Sequence, residues 1–312
     1  MKNKSMIYKY YFFLPNDYLL YPTLKLAIPS KLNDPFESIV PYKVRIKHIN
    51  DMLIKHNISD QIRIDYIRLM NSMLISGLSS SGIISMTENP KNMLMWSHYA
   101  NSHKGLVIGY RKDVLSHLTN QYGIDACFHN TPQKVIYNHK KFDRTPNKNR
   151  AEISRNDIIK YLLTTKSHHW RYEKEHRFII PLGCANYVKS IQELNAEQIS
   201  SFEQLWGLEY INNKQWFETK HIDSKKDDSY RGTFTFNEEA ERFLLNKKFD
   251  AFLKINSKSI CSIYYGVNFE ESKRNEITKI IKENQHLSHI NSYQCSINQD
   301  RLVLNTEALK TQ

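Results

Sequence analysis

Cysteine, glycine and proline are all scarce in this chain of 312 residues. The four cysteines, Cys127, Cys184, Cys261 and Cys295, lie far apart with no C-x-x-C pair. That excludes a locally encoded zinc ribbon or thioredoxin motif and makes reduced, packed thiols the expectation. Nine glycines and nine prolines leave little material for flexible spacers, so ordered elements should be joined by short loops. There is no block of five or more like charges, and no apolar run approaches the roughly 18 to 20 residues of a membrane span. The start, MKNKSMIYKYYFFLPNDY, does not read as a secretory leader, because Lys9 interrupts its apolar run and Asn16-Asp17 stand where small residues would permit cleavage, so secretion is not expected. A soluble, cytoplasmic protein with no membrane partner is expected.

What the chain does have is 40% hydrophobic residues, 12% aromatics led by 19 tyrosines, and a net charge of +12. The first suffices for a core and excludes a disordered chain. The charge fits nucleic acid, an anionic membrane surface or a phosphorylated ligand, but its lysines are spread along the chain rather than gathered in a patch.

Periodicity predicts one α+β domain over 1–312, with a mixed or antiparallel β-sheet core that can be split, flanked by helices. MIYKYYFF, TLKLAIPS, GIISMTE, KGLVIGY and QKVIYN read as strands, and NMLMWSHYA as a short helix or turn. Apolar positions at helical spacing between residues 43 and 78 predict a helical insert, and 188–229 reads as a variable helical and loop segment. KKFDRTPNKNR, at 140–150, is loop-like, and 152–169 reads as a helix running into a strand at RYEKEHRFIIPL. RGTFTF predicts a strand, NEEAERFLLN a helix capped by Asn237, and FDAFLKI, SICSIYYG, a helix over 270–284 and two strands should close the chain.

Three clusters carry candidate chemistry. In a strand over 172–181, Glu173, Glu175 and Arg177 would share one face, with the carboxylates roughly 7 Å apart. Such a pair raises one proton affinity unless a cation intervenes, and Arg177 is the candidate cation. The bland alternative is a solvated edge strand with Arg177 paired to Glu175. The apolar run after Arg177 puts the charged half at the rim of a core, where ligands meet fixed side chains. The second cluster packs Trp96, His98, Tyr99, His103 and Lys104 into nine residues, suited to stacking on a flat ring or to ordinary packing against the sheet. The third is PSKLNDPFE, where Asn33, Asp34 and Glu37 crowd a turn that has a good structural reason to exist. Histidine spacing favours no metal site.

The segments IYKYY, PSKLNDPFE, ISMTENPKNMLMWSHYANSHKGLVIGY, KVIYN, TKSHHWRYEKEHRFI, SICSIYYGVNFEE and INSYQCSI resemble the bacterial family numbered 2971 among domains of unknown function. More distantly, Glu173-Lys174-Glu175 resembles the Glu-x-Glu of ADP-ribosyltransferases, and Ser85 and Thr87 their second-strand Ser-x-Thr. By that resemblance Glu175 would hold the nicotinamide ribose of NAD and stabilise an oxocarbenium-like transition state, while Glu173 orients an acceptor. Trp96 and Tyr99 would form the nicotinamide wall, with His98 beside them. Where that family carries a first-strand Arg or His, this chain has Tyr8-Lys9-Tyr10, which leaves Tyr8 and Lys9 as the ligand-facing candidates.

Three readings stay open. One is an NAD-consuming ADP-ribosyltransferase-like enzyme, a toxin or anti-phage effector, taking a small nucleotide ligand and a macromolecular acceptor. Another is a nucleic-acid or protein binding module without chemistry. The third is a metal-dependent nuclease built on Asp34, Glu37, Glu173 and Glu175.

Overall fold

The computed structural model describes residues 6–118, 127–141, 154–206, 208–211, 216–219 and 249–309. Most of the loop-like 140–150, the charged 220–229, and the strand and helix expected between 231 and 246 lie outside these residues.

The architecture is α+β, with a large mixed sheet at its centre. β1 (Met6–Tyr11) is followed by β2 (Thr23–Leu26), the insert helices α1 (Tyr42–Lys55) and α2 (Arg63–Ser79), β3 (Ser81–Thr87), α3 (Met93–Tyr99) and β4 (Leu106–Arg111). Next come β5 (His129–Lys134), β6 (Ile136–Asn138), α4 (Arg155–Leu163), β7 (Thr165–Ser167), a 3-10 turn at His168–Glu173 and β8 (Glu175–Pro181). The rest is β9 (Tyr187–Ser190), α5 (Ala196–Trp206), β10 (Leu208–Ile211), β11 (Trp216–Thr219), β12 (Phe249–Lys254), β13 (Ile260–Tyr265), α6 (Glu271–Glu283), β14 (Asn291–Ile297) and β15 (Leu304–Ala308).

Eight strands form the large sheet in the order β15-β14-β13-β4-β1-β3-β8-β5, antiparallel except for β13 with β14. A five-stranded sheet, β10-β11-β9-β12-β2, and a parallel ribbon of β6 and β7 complete the set. The main core lies between the two larger sheets: Ile84, Met86, Phe178 and Ile180 from one side meet Leu24, Leu26, Val188 and Ala251 from the other. On the opposite face of β3 and β8, Ile83 and Ile179 pack under α2 and α4. β8 thus carries apolar residues on both faces beyond Arg177, as a central strand covered on two sides should.

Two joints shape the site. β1 and β3 share a single register pair, Tyr8 with Thr87, and then part company, whereas β3 and β8 stay paired over seven residues. Further along β3, Ala27 bridges Ile83 and brings the small sheet alongside. Gly82 makes that approach possible, because a Cβ there would stand 2.8 Å from the Leu26 Cβ and 3.0 Å from the Ile180 carbonyl oxygen. The result is a fork between β1 and β3 with the small sheet set against it.

Three expectations are corrected. The helix over 152–169 ends at Leu163, where Thr164 turns its hydroxyl back onto the Lys160 carbonyl, 2.8 Å away, and Thr165 enters β7. β-branched threonines favour that exit. QKVIYN is split at Val135, whose N–H bonds the Glu175 carbonyl at 3.0 Å, into β5 and β6. The strand over 172–181 begins only at Glu175; Glu173 closes the 3-10 turn, and Lys174 between them is left-handed at φ 47°. Among the described residues no helix is long and apolar enough to cross a membrane.

Candidate active site

The in-register rows of β3 and β8 locate the charged cluster. Ile83 faces Ile179, Ser85 faces Arg177 and Thr87 faces Glu175, so a single row on one face passes from the helix-covered core into a cleft. Arg177 is fully buried. Its Nε and Nη2 donate to Glu175 Oε1 and Oε2 at 2.8 and 3.0 Å, a bidentate pair. Nη1 donates to Glu37 Oε2 and, at 2.7 Å, to the Leu163 carbonyl at the end of α4.

Lys166, on β7, is the second hub. Its ammonium donates to Glu173 Oε2 at 2.7 Å and Glu175 Oε2 at 3.3 Å, lies 3.7 Å from Glu37 Oε1, and sits 4.6 Å above the Trp170 ring. Three buried carboxylates therefore share two buried cations. Glu173 is held from its other side by the Tyr99 hydroxyl at 2.6 Å, and Asn33 Nδ2 reaches that hydroxyl at 3.3 Å.

Local sequence explains how these pieces meet. Asn92 caps α3, accepting from the N–H groups of Leu94 and Met95, while its amide donates to the Tyr172 carbonyl at 2.6 Å. The Tyr10 hydroxyl donates to the Asn89 carbonyl at 2.8 Å and accepts from Asn92 N–H at 3.1 Å. Thr87 Oγ1 donates to the Glu173 carbonyl at 2.6 Å. β1, α3 and the 3-10 turn are laced together, which aims Tyr99 at Glu173. Tyr137, on β6, accepts from Glu175 N–H at 2.8 Å.

The two glutamates titrate in opposite directions. Burial pushes the Glu173 carboxyl up, and Lys166 only partly offsets it, leaving Glu173 above the usual range. Burial acts on Glu175 in the same sense, but Arg177 and then Lys166 more than reverse it and hold Glu175 at about 2. The Ser85 hydroxyl adds to this by bonding Glu175. Burial disfavours the Lys166 ammonium, yet the carboxylates of Glu175, Glu173 and Glu37 leave its pKa raised. Lys9 lacks such company. It crosses the β1/β3 fork to the Ser85 carbonyl at 3.1 Å, and burial draws its pKa down to about 8 against a smaller upward pull from Glu175.

The cluster lines the end of a cleft of about 1170 Å³, whose walls include Tyr8, Lys9, Ser85, Asn33, Glu37 and Tyr99. Lys166, Glu173, Glu175 and Arg177 line it as well, and the small sheet provides the far wall through Tyr187, Lys189, Trp216 and Phe252.

Of the candidate residues, Trp96, His98, Thr87 and Asp34 are not brought to the cleft. Trp96 is fully buried against Tyr10, with Nε1 bonded to the Pro90 carbonyl at 2.8 Å, so the indole is packing rather than a ligand wall. His98 is exposed beside Tyr99 and Tyr172. The Thr87 hydroxyl is occupied by backbone. Asp34 is buried in its turn, accepting from the N–H groups of Phe36 at 3.0 Å and Ser167 at 3.4 Å. Glu37 turns inward to Arg177. Lys166 and Tyr137 were not among the sequence candidates. A basic residue seven positions before Glu173, just after a helix-ending pair of threonines, was the available signal for Lys166.

Among the described residues, no group of three or more His, Cys, Asp or Glu side chains is arranged to hold a metal ion. The four cysteines are unbridged, and burial pushes the thiols of Cys127 and Cys295 up to about 12 and about 11.

Residues 95–178 match the model of a family described as Protein of unknown function (DUF2971). The match bears out the resemblance to that family and spans Tyr99, Lys166, Glu173, Glu175 and Arg177, while Lys9, Asn33, Glu37 and Ser85 lie outside it. No curated protein and no solved structure matches the chain.

Proposed function

We propose that the protein is an NAD-consuming enzyme that cleaves the bond between nicotinamide and ribose and transfers ADP-ribose to a nucleophile. The observation that carries this reading is a pair of buried carboxylates with oppositely displaced proton affinities, bridged by Lys166, at the end of an aromatic, lysine-lined cleft. Neighbouring acids whose environments drive their pKa values apart suit divided labour.

As the glycosidic bond breaks, its electron pair leaves with nicotinamide, which becomes neutral, and positive charge develops on the ribose. Glu175, ionised at neutral pH, supplies a fixed negative charge for that transition state. Glu173 is the more basic acid and accepts the proton of the attacking water or acceptor hydroxyl. Tyr99 and Lys166 fix its orientation. NAD and the acceptor hydroxyl thus give nicotinamide, the ADP-ribosylated acceptor and one proton. Depletion of NAD in an infected or competing cell would make such an enzyme a toxin or anti-phage effector.

The test is release of nicotinamide from NAD by the purified protein, with and without cell extract as a source of acceptor. Glu175→Gln, shown to be folded by circular dichroism, should abolish release, and Tyr99→Phe should slow it. Wild-type release by folded Glu175→Gln would defeat the assignment. Retention on RNA or DNA that is salt-dependent and indifferent to that substitution, with no release, would favour a binding module; chelator-sensitive strand cleavage would favour a nuclease.

A further inference from the structure

The small sheet has two unlike faces. Val188, Phe217, Ala251 and Leu253 point into the main core. The alternate residues on the same strands point into the cleft, and they are aromatic and basic except for one acid, Asp250, which lies opposite Lys189 in register. Register puts Tyr187 beside Phe252, Lys189 beside Trp216, and Lys25 on the other flank of Phe252. The Trp216 and Phe252 rings are 4.7 Å apart, Tyr187 meets Trp216 edge-on at 6.3 Å, and Lys189 stands 5.5 Å from the Trp216 ring centroid. Lys254 is exposed at the end of β12, and Asp250 orients Lys25 at 2.7 Å and Lys31 at 3.4 Å.

From this wall we infer a subsite for the base and diphosphate of a nucleoside diphosphate: the base against Tyr187, Trp216 and Phe252, the phosphates among Lys25, Lys189 and Lys254. Aromatic side chains stack on any nucleobase, and ammonium groups neutralise a diphosphate. The subsite deepens the preceding reading, since it would hold the adenosine diphosphate half of NAD while the acid cluster holds the other half.

Chain geometry ties the two ends together. Lys31 touches Asp250 on this wall, and Asn33, two residues on, touches Tyr99 at the acid cluster. Residues two apart are separated by at most about 7 Å between Cα atoms, so one short stretch of chain carries a contact to each end. The cleft, at about 1170 Å³, also exceeds the roughly 300–1,000 Å³ of common small-molecule sites.

Titration with ADP alone, followed by calorimetry, tests the subsite without any turnover. ADP should bind, more weakly as salt rises. Trp216→Ala should raise Kd roughly ten-fold, Lys254→Ala several-fold, and Lys279→Ala, exposed on α6, should leave it unchanged. Lys254→Ala, an exposed site, keeps the test valid should Trp216→Ala fail to fold. No binding of ADP at millimolar concentration, binding indifferent to both cleft variants, or binding of a single-stranded ten-mer oligonucleotide but not ADP would each overturn the inference. ADP binding in a protein that releases no nicotinamide would retain the subsite and reject the enzyme; nicotinamide release with no effect of Trp216→Ala or Lys254→Ala on ADP binding would do the reverse.

Discussion

The cluster around Arg177 and the open face of the small sheet are built from the same parts, carboxylates beside amines and aromatic rings, and behave in opposite ways. At the cluster every charge is buried and shared: Arg177 serves two glutamates and Lys166 three. On the open face the pairing is solvated, as in Lys25 with Asp250, whose side chains retain 44% and 18% of their exposure. Water screens the second arrangement and not the first, so one is a rigid fixture whose loss unravels its surroundings, and the other a ligand-ready surface that costs little to alter.

Substitutions that leave a cluster charge without its partner should have the largest effect. Arg177→Met strands Glu175 and Glu37 in a buried setting, and urea denaturation should register a loss of about 3–5 kcal/mol. A loss below about 1 kcal/mol would mean that water reaches the cluster freely and would erase the contrast.

Acid sensitivity should rank next. The Glu175 carboxyl is held at about 2 in the folded chain against an ordinary value of 4.5, so its contribution to stability is complete above about 4.5 and is lost as pH falls towards 2. A displacement of that size is worth about 3 kcal/mol. Glu173, displaced upward, works in the other sense: its contribution shrinks as pH rises through the interval above 4.5. Stability measured from pH 2 to 6 in Glu175→Gln should lose the Glu175 slope, and in Glu173→Gln the acid-side slope should persist.

Gly82→Ala tests the joint that brings the two regions together. Its Cβ has no room beside Leu26 and Ile180, and overpacking of this kind costs about 1–3 kcal/mol. ADP binding should weaken alongside stability, because the open face moves relative to the fork.

The smallest effect should come from Lys25→Ala, about 0–1 kcal/mol in stability by thermal melts, with any change confined to ADP affinity. A large drop in stability would show that Lys25 and Asp250 are a structural pair rather than half of a phosphate site.

Much of the large sheet could be read in advance because its signals are local. β1, β3, β4 and β8 advertise themselves through aromatic or apolar runs, and Asn-Pro and Asn-Asp-Pro breaks bound the neighbouring segments. Glu173, Glu175 and Arg177 stood out for a similar reason, as acids and a base crowded at the edge of an apolar stretch, and Glu37 as one of three polar residues crowding a turn. What stayed hidden depends on distant pairing. Lys166 reaches the acids only because β7 pairs with β6, some 30 positions earlier in the chain, and no periodicity within TKSHHW announces that. Trp96 looked like a ligand wall because residue type says nothing about depth: its N–H is satisfied six residues away at Pro90. The open face was equally opaque, since Tyr187, Trp216 and Phe252 converge only through the order β11-β9-β12.

Lys174 has a consequence of its own. Its left-handed backbone swings Glu173 out of the β8 pleat, so each acid hangs from a separate mount: Glu175 from the pairing of β3 and β8, Glu173 from the 3-10 turn and the hydroxyl of Thr87. Change within 168–173 can retune the more basic carboxylate while the ionised one keeps its post, a freedom that two acids on one continuous strand would lack.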